Sequence, residues 1–117
     1  MKNKVLVLGS TGLIGHQVFN YLQSTAQYDL HDFVYRKKLR EGSMILDARD
    51  EERSFKAVKD ISPNFIVNCI GILINAARDN LENAIFLNAY MPHRLARLAD
   101  SLDAKLIHIS TDCVFSG

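Results

Sequence analysis

The stretch Val5-Leu6-Val7-Leu8-Gly9-Ser10-Thr11-Gly12-Leu13-Ile14-Gly15-His16 decides how this chain folds. Four consecutive apolar residues, two of them Val, fit a strand buried on both faces. Glycine then recurs at every third position, Gly9, Gly12 and Gly15. After it Ile14, Val18, Tyr21 and Leu22 follow at helical spacing, which predicts a helix with that stripe facing the sheet. Strand, glycine turn and helix in this order are what a dinucleotide site needs. Gly9 lets the chain turn sharply off the strand, Gly12 lets backbone approach a pyrophosphate, and Gly15 lets the helix lie close to the sheet. Free N–H groups at the helix start, and the positive end of its dipole, would hold the phosphates. The predicted cradle is therefore Gly9, Ser10, Thr11, Gly12, Leu13, Ile14 and Gly15, with Ser10 and Thr11 as additional hydroxyl donors. The competing reading is a tight turn without a ligand. A Walker lysine loop is excluded, because no Gly-Lys-Ser/Thr follows.

Outward from this unit the pattern repeats. Leu30 to Tyr35 reads as a second strand and Met44 to Leu46 as a short third. Asp50 to Lys59 reads as a charged amphipathic helix with Phe55 and Val58 inward, broken by Ser62-Pro63-Asn64. Phe65 to Ile70 is a strongly apolar fourth strand. Ala77 to Leu102 carries a helical stripe that Pro92 should kink or restart. Lys105 to Ile109 is a fifth strand. Strands alternating with helices imply right-handed crossovers and a Rossmann-like, doubly wound parallel α/β sheet of five strands with flanking helices. The chain stops just past a strand end, where such domains carry their chemistry. Residues 1–117 are thus expected to form one NAD(P)-binding domain, the N-terminal part of a longer protein and truncated before its later strands.

Composition narrows the classes. The 117 residues are 48% apolar with a net charge of +1, so the chain can pack a core and has no electrostatic bias toward nucleic acid or anionic membrane. Cys69 and Cys113 cannot make a disulfide framework, and His16, His31, His93 and His108 share no ligand spacing, so no metal site is expected. No apolar run approaches the ~20 residues of a membrane span, and the first apolar run is too short for a signal peptide. A reducing, cytoplasmic setting is expected.

The second strand ends in Val34-Tyr35-Arg36-Lys37-Lys38. An acid at this place would bond a ribose 2′-hydroxyl, whereas cations suit a 2′-phosphate. Arg36 and Lys37 therefore favour NADP(H) over NAD(H), with a solvated basic loop as the other reading. Asp32 lies earlier in the strand and is a poorer ribose ligand.

The GxxGxxG spacing resembles the extended branch of the short-chain dehydrogenase/reductase family. Ile109-Ser110-Thr111-Asp112-Cys113-Val114-Phe115-Ser116-Gly117 is similar to the Ser-Thr-Asp-Tyr-Val-Phe-Asp-Gly signature of dTDP-4-dehydrorhamnose reductases and their sugar-nucleotide relatives. Pro63-Asn64-Phe65-Ile66-Val67-Asn68 resembles the Pro-Asp-Val-Val-Ile-Asn of that group. The resemblance implies a 4-keto nucleotide sugar as the substrate of the full-length enzyme, as part of polysaccharide biosynthesis. It implies Thr111 as the catalytic hydroxyl, bonded to the substrate oxygen; a local backbone bond is the alternative. Asn68, Cys69, Ile70 and Gly71 would line the cofactor's ribose, and Asn88 would support the active site. Asp47 would accept from the adenine amino group, or serve as an acid at a helix start. Cys113 stands where the signature has Tyr, and Ser116 where it has Asp. No tyrosine has lysine four residues on, so the family's Tyr-x-x-x-Lys pair is absent and the chain alone is expected to be inactive. An NAD-dependent epimerase or dehydratase, or a non-catalytic dinucleotide-binding regulatory module, are the alternatives.

Overall fold

The computed structural model describes residues 2–10, 13–34, 43–46, 50–70 and 90–109. Among these, five strands form one parallel sheet: β1 (Asn3–Leu8), β2 (Tyr28–Val34), β3 (Met44–Ile45), β4 (Phe65–Asn68) and β5 (Lys105–His108). Three helices are described with them, α1 (Leu13–Thr25), α2 (Glu51–Ile61) and α3 (Met91–Ser101). The strand order is β3-β2-β1-β4-β5. The chain steps outward from β1 through β2 and β3, then returns to the other side of β1 for β4. That reversal leaves a crevice at the carboxyl ends of β1 and β4, where open α/β sheets bind ligands.

Alternation along β1 shows that both faces are covered. Val5 and Val7 pack with Phe19 and Val67 on the α1 face, while Leu6 and Leu8 join Val58, Leu95 and Leu98 on the face of α2 and α3. This is why the sequence reads as an unbroken apolar run rather than an alternating one.

The α1 stripe differs from the expected one. Ile14 and Tyr21 are exposed, and Phe19, absent from that stripe, is the buried anchor, with Val18 and Leu22 packed beside it. Gly15 decides the rotation. A Cβ at Gly15 would overlap the Gly9 carbonyl oxygen and stand 2.8 Å from its carbon, so this helix position faces the turn. The inward line then runs Gly15, Phe19 and Leu22, and Ile14 lies ~100° round the axis.

Other bounds shift by a residue or two. β2 begins at Tyr28, before the expected Leu30, and β4 ends at Asn68 rather than Ile70. Asp50 caps α2, accepting from the Arg53 N–H, and Glu51 and Glu52 in the first turn oppose Lys59 near the end, as the helix dipole favours. α2 continues past Lys59 to Ile61 and closes at Ser62 with φ +52°. Pro92 sits in the first turn of α3, where its missing N–H costs no helical hydrogen bond. Ala26, Ser62 and Asp103, just past the three helices, are all left-handed, a helix ending usually given to glycine. Arg94 of α3 donates to Glu51 of α2 and lies 6.0 Å from the Phe55 ring centroid, so the starts of these helices are pinned together. No described helix is long and apolar enough to cross a membrane.

Candidate dinucleotide site

Gly9 leaves β1 with φ +80°, a conformation that suits glycine, and its N–H donates to the Phe33 carbonyl at 2.9 Å. A Cβ there would lie 3.0 Å from Ile70 Cγ1 and 3.2 Å from the backbone of Cys69 and Ile70. The turn after β1 is thus packed directly against the end of β4. Gly15 brings α1 onto the same turn from the other side. Gly9, Gly15, Cys69 and Ile70 therefore meet at the reversal of strand order.

α1 begins at Leu13, immediately beyond this turn. Its first N–H groups have no intrahelical acceptors, and the positive end of the helix lies there. Ile14 is 44% exposed, so this first turn reaches the surface. Tight backbone, absent side chains and a helix start fit the pyrophosphate of a dinucleotide.

The end of β4 is built by Asn68, which is fully buried. Its Oδ1 accepts from the Ile70 N–H at 3.1 Å, which turns the chain out of the strand. Its amide lies 3.0 Å from Nδ1 of His108, its register partner on β5. With the amide donating, a neutral His108 carries its proton on Nε2. One asparagine thus shapes the backbone beside Gly9 and holds β5 to β4. His108 had no assigned role in the sequence reading, because only strand pairing reveals its neighbour.

Cys69 is half-buried, and burial pushes its thiol up from 9.0 to about 11. The thiolate is the nucleophile, so the half-buried Cys69 thiol is a weak one at neutral pH. Alkylation by iodoacetamide at pH 8 should be roughly tenfold to a hundredfold slower at Cys69 in the folded chain than after unfolding. Peptide mapping by mass spectrometry checks this, and the protection should fade as pH rises toward about 11.

Ser10 behaves differently from the hydroxyl donor expected. It is fully buried and donates its hydroxyl proton to Asp32 Oδ2 at 2.6 Å. What it can offer a phosphate is main chain. Asp32 itself is 1% exposed and also accepts from the Ser43 hydroxyl at 2.5 Å. This agrees with its reading as a poor ribose ligand. The link among Ser10, Asp32 and Ser43 was not legible in sequence: nothing in the spacing of a lone Asp and two Ser marks it.

Thr11, Gly12, Arg36, Lys37, Asp47, Gly71, Asn88 and Thr111 lie outside the described residues. Of Leu13 the backbone alone is described. Among the described residues no three His, Cys, Asp or Glu side chains come together as a metal site.

Residues 2–117 match the family described as RmlD substrate binding domain. The chain belongs to this family. It is 30% identical over 116 residues to a dTDP-4-dehydrorhamnose reductase of Mycolicibacterium smegmatis, covering 98% of this chain and 32% of that protein. It is also 28% identical to methionine adenosyltransferase 2 subunit beta of Xenopus laevis, covering 97% of this chain and 34% of the relative. The crystal structure of a Bacillus anthracis dTDP-4-dehydrorhamnose reductase in complex with NADP superposes with a TM-score of 0.80 at 28% identity, covering all of this chain and 39% of that one. The chain spans about a third of the length of the curated relatives it matches. Within the RmlD family, it has the fold of the Rossmann-type reductases.

Proposed function

We propose that this chain holds the dinucleotide of a cytoplasmic, NADPH-dependent sugar-nucleotide oxidoreductase that reduces the keto carbon of a 4-keto nucleotide sugar. The observation that carries the reading is the contact of Gly15 with the Gly9 carbonyl, which sets the start of α1 over the end of β1. Membership of the RmlD family, and relatives named dTDP-4-dehydrorhamnose reductase, support the sugar-nucleotide class.

The bound dinucleotide supplies the hydride. The chain's own residues bind and orient. Gly9, Ser10, Thr11, Gly12, Leu13, Ile14 and Gly15 present main chain to the pyrophosphate. Asn68, Cys69, Ile70 and Gly71 line the ribose, with Asn68 holding that segment in its turn. Asp47 accepts from adenine, Arg36 and Lys37 meet the 2′-phosphate, and Asn88 supports the site. The Thr111 hydroxyl donates to the substrate oxygen as charge develops there.

Calorimetric titration of the 117-residue chain should give tighter binding of NADPH than of NADH, by roughly tenfold or more if Arg36 makes one charge-assisted phosphate contact. Equal or tighter binding of NADH would remove the role of Arg36 and Lys37.

A second reading has its own observation. The Xenopus relative is named as a subunit of another enzyme, which supports a binding or regulatory module. That reading expects dinucleotide affinity without NADPH oxidation when a 4-keto nucleotide sugar is offered to the protein purified from its natural source. Oxidation under those conditions would decide for the reductase.

A further inference from the structure

Asp32 stands within β2 opposite Val7 of β1, on the same strand face as Leu30 and Val34. Leu30 packs into the apolar cluster under α1, so a carboxylate has been placed in an apolar layer. Burial strips its water and must be offset by hydrogen bonds. A single oxygen, Oδ2, accepts both hydroxyls, from Ser10 at 2.6 Å and from Ser43 at 2.5 Å. Both lengths lie at the short end of the O–H···O range. Both serines are buried as well.

The three residues belong to three separate segments. Ser10 follows Gly9 in the glycine turn, Asp32 is in the sheet, and Ser43 immediately precedes β3. A buried charge is a poor device for stability alone, since an apolar side chain of similar volume often does as well or better. It is a good device for choosing one conformation. It holds the residue after Gly9 by its side chain, and so limits the main-chain angles open to a turn that must place successive N–H groups.

We propose that Asp32 is a positioning residue for the dinucleotide: through Ser10 it fixes the glycine turn in the form that receives the pyrophosphate, and through Ser43 it ties that turn to the entry of β3. It acts without touching the cofactor. The inference rests on the reading of this turn as a dinucleotide site.

The test uses the 117-residue chain, NADPH titrations, and thermal unfolding of each variant by circular dichroism. Asp32→Ala and Ser10→Ala should each raise the NADPH Kd about tenfold, in the range of one lost charge-assisted hydrogen bond. The double variant should bind about as Asp32→Ala does, because the two residues act as one unit. Asp32→Asn should stay within about threefold of the parent, since an amide oxygen can accept both hydroxyls. Overturning results are an Asp32→Ala Kd unchanged while Tm falls, additive losses in the double variant, or Asp32→Asn binding as weakly as Asp32→Ala. If Asp32→Ala does not fold, Ser10→Ala and Asp32→Asn decide by the same criteria. Failure of the parent chain to bind either NADPH or NADH would instead sink the functional reading, and this inference with it.

Discussion

Gly15→Ala is expected to destabilise the chain by about 3 kcal/mol, at the upper end of the cost of overpacking. Two effects oppose each other. Alanine is the better helix former, by at most about 1 kcal/mol over glycine. Against this, the new Cβ would overlap the Gly9 carbonyl oxygen and lie 3.2 Å from Cys69 Cβ. The obstacle is backbone, and that backbone is anchored: the Gly9 N–H is bonded to Phe33 and the Cys69 N–H to the Leu8 carbonyl, both at 2.9 Å. It cannot step aside as a flexible side chain would. Relief comes by lifting α1 from the sheet, which uncovers Phe19 and moves the helix start from the crevice. Tm should fall by roughly 10–20 °C for a domain of this size. Dinucleotide affinity, measured well below that Tm, should fall as well. A variant with unchanged Tm and affinity would show that α1 does not bear on the turn in this way. His16→Ala, one position on and exposed, is the control and should change Tm little.

The same residue shows how far the sequence could be read. The role of Gly15 as the point where helix meets turn was visible from spacing, because only a missing Cβ permits that approach. So was the parallel sheet, because strands that are apolar on both faces need helices on both sides. The rotation of α1 was not visible. Ile14, Val18, Tyr21 and Leu22 make a periodic stripe, and Gly15, Phe19 and Leu22 make another about one residue round the helix. Hydrophobicity alone does not choose between them, and the steric demand of one glycine does. Strand ends were blurred for a related reason. Val67 and Asn68 continue smoothly into Cys69 and Ile70 in composition, and β4 stops where the Asn68 side chain takes the Ile70 N–H from the ladder.

Buried polar groups were the least legible part of the site. Asn68 was picked out through resemblance as lining for a ribose, yet its contacts, to Ile70 N–H and His108 Nδ1, are with its own chain. Asp32 was set aside as a ligand, which its burial supports, but its two serine partners lie 22 and 11 positions away. Such pairings have no period. They depend on strand register and on where loops return, and both are products of the fold. The glycine turn and the start of α1 follow from local rules of backbone and helix ends. The features that hold them rigid come from residues remote in sequence.

The rotation of α1 yields the largest core effect. Phe19→Ala should destabilise by about 3–5 kcal/mol, the usual range for removing a buried phenylalanine. Phe19 is 1% exposed and packs with Val5, Val7 and Val67, which come from β1 and β4 alike. Removing it opens a cavity at the centre of the α1 face. The neighbours are β-branched residues on hydrogen-bonded strands, which have little freedom to collapse into the space. Tyr21→Ala should cost well under about 1 kcal/mol, because Tyr21 is 69% exposed and already in water. Urea unfolding of the two variants measures both values, and the ratio matters more than either. The periodic stripe read from sequence orders them the other way, with Tyr21 inward and Phe19 free. A Tyr21→Ala loss equal to that of Phe19→Ala would turn α1 back by one residue. Gly15 would then no longer face Gly9, and the account of the turn would go with it.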